Sequence, residues 1–462
     1  MSPETGPIGA ELGSYLRNET VRLLRMSVYN QFVPSVGIEN RTSLRYLTAH
    51  HVRNLATQPA VRLRPRFLSV RRVGWARPLL RLRSEVPATV HGADIYHSPL
   101  FRKHWPYGED LDDEPQHPEC PHRVIVIERA LHESQLPLHW HEVPRFREPF
   151  AANCAKLLKI VEASGLEALE KETEDPALAR AVRAAAAVHF LDHVAEIHRL
   201  VHVRGATRID MDTYLSDDTL EVALMATRAA LEATDAALKD PSRLAFVVSR
   251  PPGHHATRAT AMGFCFLSNV AIAAHEVLKR SDKGEFSRPI TRIGILDFDV
   301  HHGNGTEDCV RQQERIRFVS LHEHPQYPMT GGNPNEHGPK HNIWNFPLPA
   351  GTDWHNGYAE AYAEALNRLC SGTDRSDVVS DLDLVLVSAG YDALASDPLA
   401  GLHLKPSDYS EMAFQLIHRL KPSTPVVFCL EGGYDLNAIG EAVSQTIQGA
   451  LRARAEQPQA VV

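Results

Sequence analysis

Five short apolar runs, each followed by a cluster of polar residues, constrain the fold of this 462-residue chain more than any other feature. The runs lack alternation between polar and apolar residues, which is typical of strands buried on both faces of a parallel sheet. Amphipathic segments separate the runs, and this repeated order of strand, loop and helix indicates a parallel α/β sheet. We therefore predict a single α/β domain in which helices flank a central parallel sheet. The predicted strands span residues 244–249, 293–298, 316–321, 384–388 and 425–430.

The predicted helices separate these strands and leave the polar clusters at one edge of the sheet. Open α/β sheets bind their ligands at the carboxyl ends of the strands, and the five polar clusters follow those ends. An Ala/Glu-rich stretch at 166–187, interrupted at Pro176, is predicted to be helical and to lie on the outside of the domain. The other predicted helices span residues 268–280, 305–314, 358–370, 406–420 and 436–452.

Charge divides the chain into two unlike parts. Residues 1–83 contain 14 arginines, no lysine and four acidic residues, a charge of +10, whereas the rest of the chain carries −18. An Arg-rich, acid-poor N-terminus with short amphipathic stretches is typical of organellar transit peptides, and a disordered basic arm is the alternative. We predict a leader at 1–90, a catalytic domain at 91–455 and a flexible tail at 456–462. The predicted location is a mitochondrion or chloroplast, with cytoplasm or nucleus as the alternative.

Composition excludes several classes of protein. The sequence contains no run of 18 apolar residues, so no membrane span is predicted. The six cysteines form no CxxC pair, which favours reduced thiols over a disulfide framework or a cysteine-built zinc site. The charge of −18 beyond residue 83 argues against direct nucleic-acid binding by the catalytic domain. The oligomeric state does not follow from the sequence.

A metal site is predicted after the strand ILDFDV. Alternation along a strand would direct Asp297, Asp299 and His301 to one side, where an Asp and a His can bind one divalent metal. A third ligand is needed for an open catalytic site, and Asp392, in the later sequence SAGYD, is the best candidate. Asp392 taken alone could equally be a turn residue or a helix cap.

Three further polar residues indicate acid–base chemistry. His254 and His255 follow a rigid Pro-Pro-Gly turn and suit proton transfer, and Asp297 and Asn304 are the available partners that would orient them. Tyr434, in the sequence EGGY, could present its hydroxyl to a developing oxyanion. Surface-loop histidines and an ordinary turn tyrosine are the alternatives for each motif alone.

Seven motifs in this order resemble the histone deacetylase superfamily, nearest its class II and bacterial deacetylase-like branch. The resemblance covers roughly residues 92–450 and implies an arginase/deacetylase-like fold with the catalytic loops at the carboxyl ends of the strands. It also implies zinc-dependent hydrolysis that removes acetyl groups from N-acetyl-lysine of histone or non-histone proteins and peptides. The motifs are RPPGHHA, GFCFLSN, ILDFDVHHGNGT, VSLH, LVSAGYDA, DPLAGL and LEGGYD.

The resemblance assigns roles residue by residue. It implies that His254 is paired with Asp297 and His255 with Asn304, and that Tyr434 is the catalytic tyrosine. The implied ligands of one catalytic Zn²⁺ are Asp299, His301 and Asp392. The implied substrate tunnel is lined by Gly263, Phe264, Tyr327 and Leu399. A structural K⁺ site is implied at Asp297, Ser320 and Leu321, and Arg123 is implied to line an internal cavity behind the metal.

Two residues differ from what parts of the superfamily carry, Leu399 at a position that bears on substrate choice and Met329 at the tunnel rim. Polyamine deacetylases of the superfamily carry an acidic residue where this chain has Leu399, so the sequence favours acetylated protein over small acetylated amines such as acetylpolyamines. Met329 stands where the family commonly has Gly in a turn, which predicts an unusual tunnel rim. A non-catalytic deacetylase-like scaffold is disfavoured because no site position is lost. A di-manganese ureohydrolase would want more carboxylates around its two metals.

Overall fold

The computed structural model describes residues 92–105, 115, 117–172, 174–204, 207–375 and 379–457. The predicted leader at 1–90 lies outside the described residues, as does 458–462 of the predicted tail. None of the helices in the described ranges has the length and apolar character needed to cross a membrane. All six cysteines are buried free thiols.

Eight parallel strands form one sheet, in the order β2-β1-β5-β10-β9-β6-β7-β8. They are β1 (Ala93–His97), β2 (Leu138–Glu142), β5 (Leu244–Val247), β6 (Ile293–Asp297), β7 (Ile316–Glu323), β8 (Ile343–Leu348), β9 (Leu384–Ala389) and β10 (Val426–Leu430). A separate antiparallel ribbon pairs β3 (Thr207–Arg208) with β4 (Tyr214–Leu215). The predicted parallel α/β class is confirmed, and each of the five predicted strands is present with ends shifted by one or two residues.

Helices cover the sheet and bury two apolar cores. Within β6, Ile293 and Ile295 belong to one core and Leu296 to the other, because successive side chains point to opposite faces of a strand. This double burial explains why the strand sequences show no polar alternation. The helices are α1 (His122–Glu133), α2 (Phe150–Ser164), α3 (Pro176–Val188), α4 (Leu191–Arg204), α5 (Thr219–Lys239), α6 (Asn269–Asp282), α7 (Asn304–Val310), α8 (Ala359–Ser371), α9 (Pro406–Arg419) and α10 (Ile439–Glu456).

The predicted position of the Ala/Glu-rich stretch was wrong for its second half. Residues Leu166–Lys171 form a 3-10 turn, and α3 begins at Pro176, where Asp175 accepts a hydrogen bond from the amide of Leu178. Most of α3 is buried, and it packs against α5 and α6. Its many alanines allow this close approach, so the helix lies in the core and not on the outside.

The strand register gathers the polar clusters. Asp297 at the end of β6 pairs with Ser388 on β9 and with Ser320 on β7. Ser388 in turn pairs with Cys429 on β10. The carboxyl ends of β5, β10, β9, β6 and β7 therefore meet at one edge of the sheet, and the loops that follow them build the site.

Candidate active site and metal centre

Three buried side chains at this edge form a compact set of metal ligands. One donor atom from each of Asp299, His301 and Asp392 lies within 4.8 Å of the other two. His301 Nδ1 is 3.2 Å from Asp299 Oδ1 and 3.1 Å from Asp392 Oδ2. Two carboxylates and one imidazole suit a divalent cation such as Zn²⁺, and three protein ligands leave a coordination position for substrate. The structure thus brings together the three residues predicted from sequence as ligands.

Strand alternation is not what directs these ligands, because β6 ends at Asp297 and both Asp299 and His301 lie in the following loop. Hydrogen bonds to backbone amides hold that loop instead. Asp297 Oδ1 accepts from the amide of Asp299, and Asp299 Oδ1 accepts from the amide of His301. Asp392 Oδ1 accepts from the amide of Val300 at 2.9 Å, which fixes the β9 loop against the β6 loop.

Two glycines allow the backbone to approach the carboxylates closely. A Cβ atom on Gly390 would lie 2.1 Å from Asp299 Oδ2, and one on Gly432 would lie 2.1 Å from Asp392 Oδ2. The amide of Gly432 donates to Asp299 Oδ2 at 2.7 Å. Any larger residue at either position would therefore displace a carboxylate. The loops after β9 and β10 thus enclose the carboxylates closely, which suits a small cation.

Burial and the short distances between the three side chains shift the pKa values of Asp392 and His301. Burial raises the pKa of Asp392, and the charge of Asp299 raises it further. Burial lowers the pKa of His301, but hydrogen bonds to Asp299 and Asp392 outweigh that effect and raise it to about 10. The two buried carboxylates thus favour a positive charge between them, which a divalent cation provides.

His254, Cys265 and Glu431 form a second compact set of possible ligands. Burial and the charge of Glu431 hold the pKa of the Cys265 thiol well above its ordinary value, and a protonated thiol is a poor metal ligand. Glu431 already accepts hydrogen bonds from the amides of Gly253 and His254 at 2.6 and 3.1 Å. This set therefore suits a structural role better than metal binding.

The histidine pair has the two partners that the resemblance implied. His254 Nδ1 lies 3.1 Å from Asp297 Oδ2, and His255 Nδ1 lies 2.7 Å from Asn304 Oδ1. The amide nitrogen of Asn304 faces Met262 Sδ, so its oxygen faces the ring. The partner of each Nδ1 is an oxygen that can only accept, so each ring carries a hydrogen on Nδ1 and donates it. When such a ring is neutral, its Nε2 has no hydrogen and can accept a proton.

The two histidines differ in charge. Burial alone would lower the pKa of His254, but the charges of Asp299 and Asp297 raise it well above its ordinary value. Burial and the neighbouring charges of His254 and His301 hold the pKa of His255 well below its ordinary value. His255 is therefore the neutral member of the pair and the better proton acceptor.

Tyr434 lies on the loop after β10, between an aromatic ring and a buried cation. The Arg123 guanidinium is 4.8 Å from the centre of its ring, and the edge-to-face Phe264 ring is 5.8 Å away. Burial raises the pKa of the Tyr434 hydroxyl well above its ordinary value, so the group stays protonated and can donate a hydrogen bond. This is the state needed to stabilise an oxyanion.

Three of the predicted tunnel residues, Gly263, Phe264 and Tyr327, lie beside His255 or Tyr434. Tyr327 packs its ring 4.9 Å from His255. Gly263 has a φ of 55° and no room for a side chain, since a Cβ would lie 2.6 Å from His255 and 2.8 Å from Tyr327. The carbonyl of Leu399 accepts from the side chain of Gln326, next to Tyr327, at 3.4 Å.

Arg123 lies behind the tyrosine loop, where the resemblance implied a cavity residue. Its Nε donates to the carbonyl of Gly433 at 2.7 Å, and its guanidinium also donates to the carbonyl of Glu431. Ser320, implied as a K⁺ ligand, is buried beside Asp297 and contacts His322 Nδ1 at 3.0 Å. The K⁺ site stays a prediction.

Sequence reasoning missed several buried acidic and basic side chains. Glu119 forms a fully buried ion pair with Arg250 and contacts Arg123 Nη1 at 3.2 Å. Asp397 and Glu431 accept hydrogen bonds from backbone amides of the site. Arg250, Asp397 and Glu431 lie within motifs noted above, whereas Glu119 lies outside them, and a charged residue inside an otherwise buried motif is the signal that could have identified those three.

Comparison with known proteins identifies the family. Residues 117–450 match the model of the histone deacetylase domain. The chain belongs to the histone deacetylase domain family. It is 37% identical over 342 residues to the protein slr0245 of Synechocystis, covering 73% of this chain and 94% of that protein. It is 30% identical over 353 residues to "Histone deacetylase 14, chloroplastic" of Arabidopsis thaliana, covering 72% of this chain and 73% of that protein.

Solved structures share the fold of this deacetylase family member. The crystal structure of the HDA15 HD domain aligns with a TM-score of 0.61 at 23% identity, covering 80% of this chain and 90% of the other. An acetylpolyamine aminohydrolase from Burkholderia pseudomallei aligns with a TM-score of 0.55 at 23% identity, covering 78% and 99%. The predicted arginase/deacetylase-like fold is confirmed.

Proposed function

We propose that this chain is a zinc-dependent hydrolase that removes acetyl groups from N-acetyl-lysine side chains of proteins. The observation that carries the proposal is the convergence of three elements at one edge of the sheet. These are the carboxylate–imidazole triad, a neutral histidine held by Asn304, and a protonated Tyr434. Membership in the deacetylase family supports the same reaction class.

The side chains of this chain account for the proton transfers. Asp299, His301 and Asp392 would hold a divalent metal, which would supply Lewis acidity toward the acetyl carbonyl. His255 Nε2 accepts a proton from the water whose oxygen attacks the carbonyl carbon. The Tyr434 hydroxyl donates a hydrogen bond to the carbonyl oxygen as it gains charge. His255 then returns the proton to the lysine nitrogen as the C–N bond breaks, which leaves acetic acid and the free amine.

The groups around the approach support lysine as the substrate side chain. Phe264 and Tyr327 offer aromatic faces to an apolar stem, and burial near the metal suits a neutral amide. Leu399 adds an apolar side chain where a cation-selective enzyme would place an acid. A long unbranched stem that ends in a neutral acetamide matches this chemistry.

A second candidate substrate is an acetylated polyamine, and one observation favours it. Asp210 and Asp212 lie on the loop whose Thr213 hydroxyl accepts from the amide of Phe264 at 3.0 Å. Desolvation and the charge of Asp210 raise the pKa of Asp212 to about 6, which places the two acidic side chains close together on this loop. A free amine of a polyamine could be attracted there.

The test measures deacetylation by the purified, zinc-loaded chain of an acetyl-lysine peptide and of an N-acetylated polyamine. We expect kcat/KM for the peptide to be at least 10-fold higher, and a chelator should abolish both activities. A preference for the polyamine would select the second candidate. Inactivity of the zinc-loaded chain on both substrates would contradict the proposal.

We also propose that residues 1–90 direct the chain to an organelle. Their Arg-rich, acid-poor composition supports the proposal, and the similar protein of Arabidopsis thaliana is named chloroplastic. Mass spectrometry of the mature N-terminus from purified organelles tests it, with cleavage within 1–90 as the expected result. An intact Met1 in a nuclear or cytosolic fraction would overturn it.

A further inference from the structure

One buried carboxylate joins the tyrosine loop to the tunnel wall. Asp397 Oδ2 accepts a hydrogen bond from the backbone amide of Tyr434 at 2.7 Å. Its other oxygen, Oδ1, accepts from the backbone amide of Leu399 at 2.9 Å. Asp397 is only 7% exposed, so water competes little for either oxygen. Both oxygens of one side chain are thus committed to amides of the site.

These two amides belong to different loops. Leu399 and Asp397 lie on the loop that follows β9, whereas Tyr434 lies on the loop that follows β10, and the two strands are paired neighbours. Gly433, directly before Tyr434, has a φ of 113°, and because glycine is the least restricted residue, the position of the backbone here depends on support from its surroundings. Asp397 supplies one such support, and Arg123 supplies another through the carbonyl of Gly433.

We infer that Asp397 is a positioning residue that acts through the backbone of Tyr434 and so holds the tyrosine hydroxyl at the oxyanion position. Its second hydrogen bond fixes the tyrosine loop relative to Leu399 of the predicted tunnel wall. The inference rests on the role proposed for Tyr434. The side chain of Asp397 offers one acceptor oxygen to each of the two amides, so it can serve both at once. An asparagine can serve only one of them, because its amide nitrogen is a donor and would face the other N–H.

Asp397→Asn therefore removes one of the two hydrogen bonds while nearly preserving side-chain volume. We expect kcat on an acetyl-lysine peptide to fall about 10- to 100-fold, somewhat less than the ~10²–10³-fold that loss of an oxyanion donor itself costs. We expect KM to change less than threefold and the bound zinc to stay at one ion per chain, since the hydrogen bonds of both Asp397 oxygens go to backbone amides.

A double-mutant cycle separates positioning from general damage. If Asp397 acts through the Tyr434 hydroxyl, the double variant Asp397→Asn with Tyr434→Phe should be at most threefold slower than Tyr434→Phe alone. The inference would be overturned if the fold-loss in kcat of the double variant equalled the product of the losses in the two single variants. Wild-type kcat in Asp397→Asn alone would also overturn it. The control is Asp383→Asn, because Asp383 also accepts from two backbone amides, those of Thr291 and Arg292, but through a single oxygen, Oδ2, that the asparagine can replace. That residue precedes β9, so the control should keep wild-type kcat.

Hydrogen–deuterium exchange tests the inference independently of activity. The Tyr434 amide should exchange at least 10-fold faster in Asp397→Asn than in wild type or Asp383→Asn, and unchanged protection would overturn the inference. An inactive wild-type enzyme with the expected exchange pattern would contradict the proposed function alone. If Asp397→Asn does not fold, Asp397→Glu is put through the same cycle. Its longer side chain displaces the acceptor oxygens, so wild-type kcat in that variant would overturn the inference.

Discussion

Asn304 presents a neutral oxygen 2.7 Å from His255 Nδ1. The neighbouring His254 instead faces the carboxylate of Asp297 at 3.1 Å. Burial and the charges of His254 and His301 lower the pKa of His255, whereas the charges of Asp299 and Asp297 overcome burial and raise the pKa of His254, so the pKa values of two adjacent histidines are displaced in opposite directions. The site therefore contains one histidine that favours the charged form and one that favours the neutral form.

Asn304→Asp should reduce this separation. A carboxylate at the same position favours the imidazolium form, so the pKa of His255 rises and less of it is neutral at a given pH. We expect the acidic limb of the kcat/KM profile to move upward by about one pH unit. The measurement is a pH–rate profile, with Asn367→Asp as the control on α8. An unshifted limb would contradict the role of His255 as proton acceptor.

Tyr434→Phe should remove the proposed oxyanion donor. Loss of one such donor typically costs about 10²–10³-fold in kcat, and the ring can still pack against Phe264 and Arg123. Zinc content, measured by mass spectrometry of the metal, should stay unchanged. Normal turnover in this variant would be incompatible with the proposed mechanism.

Asp299→Ala should abolish both metal binding and turnover. It removes one donor of the triad and leaves His301 Nδ1 with Asp392 as its remaining partner. We expect less than one-tenth of the wild-type zinc content after dialysis. The control is Asp383→Ala, at the opposite end of β9, which should retain the metal. A zinc-replete and active Asp299→Ala enzyme would refute the assignment of this ligand.

Glu119→Gln should destabilise the fold in a pH-dependent way. Burial raises the pKa of Glu119, but the Arg250 guanidinium outweighs this and lowers it to about 2 from an ordinary 4.5. The ion pair thus stabilises the folded state fully above pH 4.5, and this contribution is lost as the pH falls toward about 2. Removing one partner of a buried pair costs about 3–5 kcal/mol.

Urea unfolding at pH 7, 5 and 4 measures this difference in free energy between wild type and Glu119→Gln. It should be constant between pH 7 and 5 and should shrink below pH 4.5, where Glu119 of the unfolded chain becomes protonated. The control is Glu174→Gln, because the pair of Glu174 with Lys156 is exposed to solvent and should contribute little to stability. A difference that grows on acidification would contradict the depressed pKa.

The central strands were predictable because burial on both faces leaves a continuous apolar sequence. The sequence analysis did not predict β1, β2 and β8, because their sequences are not continuously apolar. β1 contains the buried Asp94, β2 reads LHWHE at one sheet edge, and β8 at the other edge is only partly buried. The site residues were predictable where the motif itself carries the chemistry, as in DFDVHHGN.

The sequence by itself determined the α/β class, the order of the central strands along the chain and which side chains are the candidates for metal binding and acid–base chemistry. Tertiary structure alone decided that α3 enters the core, that backbone amides and not strand alternation orient Asp299 and His301, and that Asp397 joins two loops. The physical reason is that side-chain chemistry and hydrophobic pattern are local properties of a sequence. A hydrogen bond between a carboxylate and an amide 37 residues away along the chain exists only once parallel strands bring their loops together.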